Sequence, residues 1–558
     1  LEHHAGVWRF THDKLRETLL NELGDERPAL HREIAQTLEV LHSEPVSRTA
    51  YAEILLDHWQ RAVEPEKEAH YAPIAAAQAV RFTGKYRAAQ DWLEHALDLI
   101  TAGRGVEADR TRMKLLQLLG DALSRQSQYA PAAQQYEASM ALAERLNDSS
   151  ALSASLTGLA EIGLYQTQLA PAITYAEAGL KISRETADRA GIARCLQLIA
   201  QAHLYKGELV EAQQKFAASL SLYRELDLQP EIAGLLNSLG TIASIQGDFS
   251  EARSLWEQSY AITRQIGDRY RTGVLLHNLA QIAADQAQFV SALEKVKEAA
   301  DLFRELGLRQ NFGMALNTQG SLLLRHGDIA QGQTLCQESL AIRRAINDRN
   351  GVATSTCNVA VSYLLQRQYE TAEPLFQESL AFFREAGNRR WIGQTLRDLG
   401  VVAYLQGQHE LAAERLRESL THFEALNDGR GVVFALAVLV GVNASQLQIP
   451  EARADLRRGL TLALDLELPM PKIKVLVAAT TLAAHLDQPE TAARWFGLLQ
   501  QHTATMHEDR LLLDHLRPAV LQRITNDCFD QQQARGQTLE LDTELTALSQ
   551  NTLYVDLP

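Results

Sequence analysis

Several short stretches of this sequence carry residue types that could do chemistry. In RFTHDKLRE, Arg9 to Glu17, a histidine is followed at once by an aspartate, a pairing that a general base or a metal site would use. His3 and His4 stand side by side, but adjacent side chains on a strand point to opposite faces and do not converge on one ion. TGKYR, Thr83 to Arg87, has the Gly-Lys of a phosphate-cradling loop. It lacks the first glycine and the hydroxyl residue that GxxxxGK[ST] requires. His409-Glu410 is not followed by the second histidine of a zinc-protease helix, since Ala413 stands there. No GxSxG occurs, and Cys195, Cys336, Cys357 and Cys528 lie far apart with no CxxC. That fits a reducing compartment, and neither a disulfide framework nor a zinc site. The residues therefore predict a cytoplasmic chain that is not an enzyme, with no catalytic residue and no metal.

Composition narrows the partners. The 558 residues carry a formal net charge of −15, which argues against nucleic acid, because phosphate binding needs a basic face. No apolar run reaches the roughly 18 residues of a membrane span. The chain is rich in Ala, Leu, Gln, Glu and Arg and poor in Pro and aromatics, a helical composition. It begins mid-pattern without a methionine, so it is expected to be a piece of a longer protein.

The elements that must position any site come from a repeat. GDFSEARSLWEQS (from Gly247) returns as GELVEAQQKFAAS (Gly207), GDIAQGQTLCQES (Gly327), RQYETAEPLFQES (Arg367) and GQHELAAERLRES (Gly407). Weaker copies start at Ser127, Thr167, Ala287, Leu447 and Asp487, so ten starts lie 40 residues apart, and GKYRAAQDWLEHA precedes them at a spacing of 43. Five residues into each copy stands a small residue (Ala212, Ala252, Gly332), and another stands twelve residues before it (Ala200, Gly240, Gly320). A third stands seven residues after (Ser219, Ser259, Ser339), with a larger residue such as Tyr136, Phe216, Trp256, Phe376 or Leu416 in between. Small residues let helices approach and the large one fills the gap between layers. Each unit reads as two antiparallel helices, A and B, running for one unit over residues 270–286 and 290–306. Gly207, Gly247, Gly327 and Gly407 supply positive φ in the A–B turn. Pro131, Pro171 and Pro450 sit where helix B begins. Asp148, Asp188, Asp268, Asp348 and Asp428 are the expected N-caps of the following helix A.

This small–small–large–small pattern resembles the tetratricopeptide repeat, in the longer-helix form found in bacterial regulators and motor-protein light chains. The family's early Trp is replaced by Leu236, Leu276 and Leu316, and its late Pro is missing. HEAT and armadillo repeats share the length without the paired small residues. The resemblance implies an all-α superhelical solenoid of about 11 helix pairs, whose concave face is made by the A helices. Carried over from that family, the concave positions include Lys114, Gln117, Asp121, Arg125, Arg194, Gln197, Gln201, Tyr205, Asn237 and Thr241. They continue with His277, Gln281, Asp285, Asn317, Ser321 and Arg325, and turn apolar at Val361, Leu365, Val401 and Leu405. The expected ligand is a peptide, a protein or a small polar molecule.

The first hundred residues depart from the period. LEHHAG and VWRFTH read as two strands around a turn at Ala5-Gly6. DKLRETLLNEL is amphipathic at helical spacing, and ALHREIAQTLEVL and AYAEILLDHWQRA read as further helices, with Asp25 and Pro28 opening the first of these two. This run resembles the end of the nucleotide-binding module of STAND proteins, the signal-transduction ATPases with numerous domains. In that family a winged-helix subdomain is followed by helical repeats. THD matches the place of the Met-His-Asp signature, with Thr11 in place of Met. The resemblance implies that His12 faces the β-phosphate of ADP in the whole protein and that Asp13 is its structural neighbour. ATP or ADP would then belong to a nucleotide-binding domain outside this chain, which itself carries no cofactor. The domain plan that results is a C-terminal winged-helix part over 1–44, a helical linker with the first repeat over 45–100, the repeat array over 101–500, and a helical cap and tail over 501–558. The function implied is the inducer-sensing region of a transcriptional or signalling regulator that oligomerises on activation. The alternative is a free-standing scaffold for protein assembly.

Overall fold

The computed structural model describes residues 2–4, 7–9, 26–44, 49–80, 85–100, 105–466, 468–551 and 554. His12, Asp13, Asp25 and the expected helix over 13–23 lie outside these. The chain forms two compact units, residues 1–242 and 243–558. In the first, β1 (Glu2–His4) and β2 (Val7–Arg9) pair antiparallel with His3 opposite Trp8. Then follow α1 (Arg27–Leu41), α2 (Ala52–Arg61), α3 (Pro65–Gln78) and α4 (Tyr86–Ile100). Pro28 lies in the first turn of α1, as expected.

From there helices A and B alternate. The pairs are α5 (Val106–Arg125) with α6 (Tyr129–Leu146), α7 (Ser149–Tyr165) with α8 (Leu169–Glu185), and α9 (Arg189–Lys206) with α10 (Leu209–Glu225). Next come α11 (Gln229–Gln246), within which the first unit ends, and α12 (Phe249–Ile266), then α13 (Arg269–Asp285) with α14 (Phe289–Glu305), and α15 (Arg309–His326) with α16 (Ile329–Ala345). The last are α17 (Arg349–Leu365) with α18 (Tyr369–Glu385), α19 (Arg389–Leu405) with α20 (His409–Ala425), α21 (Gly429–Ser445) with α22 (Ile449–Asp465), and α23 (Pro469–His485) with α24 (Pro489–Gln501). Three helices close the chain: α25 (His507–Leu521), α26 (Asn526–Gly536) and α27 (Leu541–Ser549).

The local signals explain the boundaries. Each of the five predicted aspartates accepts a backbone N–H three residues on, for example Ala151 N to Asp148 at 3.0 Å and Gly351 N to Asp348 at 2.9 Å. All ten A–B turn positions from 127 to 487 have positive φ. Glycine fills only four of them; Ala287, Arg367 and Leu447 adopt the same left-handed turn at a cost on the order of 1 kcal/mol each. The turn is imposed by packing on either side of it, and glycine only relieves it.

That packing is interdigitated. A Cβ on Gly120 of α5 would stand 2.8 Å from the Tyr136 ring, and one on Gly158 of α7 would stand 2.4 Å from it. The ring of helix B is thus clamped between its own helix A and the next. The serines of the pattern do more than stay small. Ser219 Oγ donates to Ala193 O at 2.7 Å, Ser339 to Gly313 O at 2.6 Å and Ser419 to Gly393 O at 2.6 Å, each tying B to its own A across 26 residues. Within each unit, A helices of successive pairs also touch directly, as α5–α7–α9 and α15–α17–α19–α21–α23 do. They form the inner row. Gly320 is closed in by backbone as well as by a side chain: a Cβ there would lie 2.8 Å from Gly332 O and 2.6 Å from Cys336 Sγ. Gly320→Ala is expected to lower unfolding stability by about 1–3 kcal/mol, read as a shift in the urea midpoint at unchanged slope.

Candidate ligand-binding face

In the first unit the inner row is open. Arg194, early in α9, forms an ion pair with Glu161 of α7 and donates to Gln197 Oε1 at 3.2 Å. Gln201 lies one turn further on, partly exposed, and Tyr205 ends the stripe at 57% exposure. On α11, Asn237 and Thr241 are half-buried, the Thr241 hydroxyl bonding back to Asn237 O at 2.9 Å. Two neighbours predicted for the same face are structural. Gln117 bridges to Ala151 O and Ser155 Oγ of the next A helix at 2.9 and 3.1 Å, and Asp121 accepts the Tyr136 hydroxyl at 2.5 Å. Arg194, Gln197, Gln201 and Tyr205 share one helical stripe of α9, and Asn237 and Thr241 share one on α11.

In the second unit the same register is progressively covered. His277 is 4% exposed and bonds Thr318 Oγ1 through Nε2 at 3.0 Å. Asn317 is 8% exposed, and its Oδ1 has no hydrogen-bond partner. Gln281 stays exposed, while Ser321 and Arg325 are partly buried. Arg325 makes no hydrogen bond or ion pair among the described residues. The charges facing it are Arg430, Asp285, Arg397 and Glu508, and burial together with Arg430 weakens its hold on its proton. Asp285, four positions after Gln281, reaches along the inner row to pair with Arg430 of α21.

The cover is α25. It leaves the A–B alternation and lies on α15, α17 and α23, while α26 packs on α24 and α27 ties in through Trp495 Nε1 donating to Glu544 at 2.8 Å. Along α25, Glu508 and Asp509 meet Lys474 Nζ of α23 at 3.0 and 2.7 Å. Asp514 pairs with Arg367 at 3.1 Å, and the His515 ring sits edge-on to Tyr404, 5.6 Å between centroids. Leu511, Leu513, Leu516 and Val520 are buried in the same core as Leu365, Val401 and Leu405. The apolar end of the predicted face is therefore a seat already taken. Phe434 lies between two cations, Arg397 at 5.7 Å and Lys474 at 5.2 Å from its ring centre.

Arg397, Arg430, Lys474, Glu508 and Asp509 were not in the sequence-derived site. Lys474 occupies the repeat position of Lys114 and Arg194, and Arg397 that of Gln197 and Asn317, so extending the register to the last pairs would have found both. Nothing in the sequence places Glu508 and Asp509 there. Burial of Glu508 opposes its charge, but Lys474, Arg397 and Arg325 more than offset it and hold the carboxyl at about 2.

The family model of the tetratricopeptide repeat matches residues 231–305, 312–385 and 352–425. No curated protein matches the chain. Among solved structures, similar chains include a STAND protein with a tetratricopeptide-repeat sensor from Pyrococcus horikoshii, at 14% identity and TM-score 0.44, covering 68% of this chain and 56% of that one. The apo quorum sensor NprR from B. thuringiensis is 14% identical with TM-score 0.46, covering 66% and 99%. Aspartyl phosphate phosphatase F from Bacillus subtilis is 12% identical with TM-score 0.45, covering 64% and 93%.

His277 yields a pH dependence. Burial, then the nearby Arg343, lowers its pKa from 6.5 to about 4. The unfolded chain takes up the proton first, so this contribution is full above pH 6.5 and is lost as pH falls from 6.5 to about 4. Urea unfolding at pH 7 and pH 4 should differ by up to ~3 kcal/mol more in the native chain than in His277→Gln; equal differences would show that His277 is not held neutral. With the repeat match and the helix pairs on both sides of it, the chain is an all-α tetratricopeptide-repeat solenoid.

Proposed function

We propose that the inner row of A helices binds a peptide or protein segment, and that the chain is the ligand-sensing region of a STAND-type signal-transduction ATPase. The observation that carries the binding reading is the open stripe of α9, where hydrogen-bonding side chains at one helical register run into an exposed tyrosine. Polar groups fix the register of an extended or helical ligand, and an exposed ring supplies apolar area at low entropic cost. The STAND reading rests on the sequence resemblance and on the β1–β2 hairpin, which is the place of the wing in that reading. In it, residues 1–44 are the end of a winged-helix part, 45–100 link it to the repeats, and the cofactor ATP or ADP and its switch lie in another domain, where His12 would touch the nucleotide. An inducer acts by differential affinity for two states of that assembly.

The binding reading is tested with a displayed random dodecapeptide library selected on the whole chain. Arg194→Ala, Gln201→Ala and Asn237→Ala are each expected to weaken the selected peptides about five- to thirtyfold, the range of ~1–2 kcal/mol for an interface side chain. Peptides whose fluorescence-polarisation affinity ignores all three, and Arg325→Ala as well, would sink the inner-row assignment.

A further inference from the structure

The inner face of the second unit holds a concentration of charge that the fold does not explain. Arg325, Arg397, Arg430 and Lys474 come from four different A helices, α15, α19, α21 and α23. Arg397 and Lys474 are buried to 12% and 3% side-chain exposure. Burying a cation costs several kcal/mol unless carboxylates meet it, and apolar residues would pack such a position as well. Four carboxylates meet these four cations: Asp285 on Arg430, Asp398 on Arg397, and Glu508 and Asp509 on Lys474. Two of the four stand on the inner row itself. The other two, Glu508 and Asp509, come from the first turn of α25, a helix outside the repeat pattern. Even with α25 seated, Arg325 has no partner of its own, and it faces Glu508 across the same site. Without α25, the four cations would keep only Asp285 and Asp398 as ion-pair partners, on a chain whose net charge is −15.

We propose that Arg325, Arg397, Arg430 and Lys474 form a binding site for an acidic peptide segment, and that the first turn of α25 is its resident stand-in, which such a peptide displaces. The inference rests on the reading that the inner row binds peptides, and it names the ligand class. Arg325 is the entry point, because its guanidinium is free to take a carboxylate in a two-pronged bond while Glu508 still occupies Lys474. A second carboxylate on the ligand then takes the place of Glu508 on Lys474 and Arg397. Asn317, two turns before Arg325 on the same stripe of α15, carries a buried acceptor with no donor, Oδ1. The apolar side of α25, Leu511, Leu513 and Leu516, sets the second requirement: a displacing ligand also brings apolar side chains to the seat on α17 and α19. The site thus takes acidic, amphipathic segments and rejects basic ones by repulsion.

The test uses the whole chain and the dodecapeptide library. Selected peptides should be enriched in Asp and Glu. Arg325→Ala should weaken the acidic peptides at least about tenfold, as expected for a charge-assisted bond, with the helical fold retained because Arg325 makes no hydrogen bond or ion pair among the described residues. Glu508→Gln keeps the shape of the resident turn but weakens its hold on Lys474, so it should tighten acidic peptides several-fold. Peptides that are not acidic, or that ignore Arg325→Ala while still responding to Arg194→Ala or Asn237→Ala, would overturn the acidic site and leave the inner-row reading standing. Peptides that ignore every one of these changes would remove both. Affinity that is unchanged or falls with Glu508→Gln would overturn the displacement of α25.

Discussion

Each helix B drives one large side chain between its own helix A and the next, and the rest of the molecule follows from that. Tyr136 between Gly120 and Gly158 is the clearest case. Because the ring needs a helix without side-chain bulk on both sides, the A helices carry the small residues and close on one another. They become the inner row, with one stripe turned away from the core. On α9 that stripe lies outside the apolar core, so its residues are free to be Arg194, Gln201 or Tyr205. The same clamp fixes the turns so firmly that Ala287 and Leu447 accept left-handed backbone there.

The inner row then changes character along the sequence. At the position that ends each A helix, Tyr165 and Tyr205 are more than half exposed, while Leu365 and Leu405 are 5% and 8% exposed. The difference is α25. Its leucines cover the apolar seat, and its first turn neutralises Lys474. An ion pair so buried adds little net stability over a hydrophobic contact, yet breaking one side of it leaves a stranded charge. Such an arrangement suits a seat that can be exchanged between carboxylates better than one built only for rigidity.

The repeat, its helix boundaries, the capping aspartates and the open stripe of α9 were legible in the sequence, because each depends on local spacing and recurs every 40 residues. What was not legible depends on contacts without a period. His277 looks like a surface group by register, but Thr318 of the next A helix encloses it. The apolar run at Val401 and Leu405 looks like a bare floor for a ligand until α25, a hundred residues later, is laid on it. Arg430 meets Asp285 across 145 residues, and no pattern along the chain announces that pair. His12, the residue that most resembles chemistry, lies outside the described residues, and its role is argued from resemblance alone.

In the second unit the inner row is, in this proposal, a peptide site which α25 fills at rest. Hydrogen exchange of the α25 backbone, residues 507–521, measures it directly when followed with and without a saturating acidic amphipathic peptide. Helix α25 should be protected in the free chain and lose protection when the peptide binds, while α13 and α15 gain it. Protection of α25 that stays the same or rises on peptide binding would show that the peptide does not displace it.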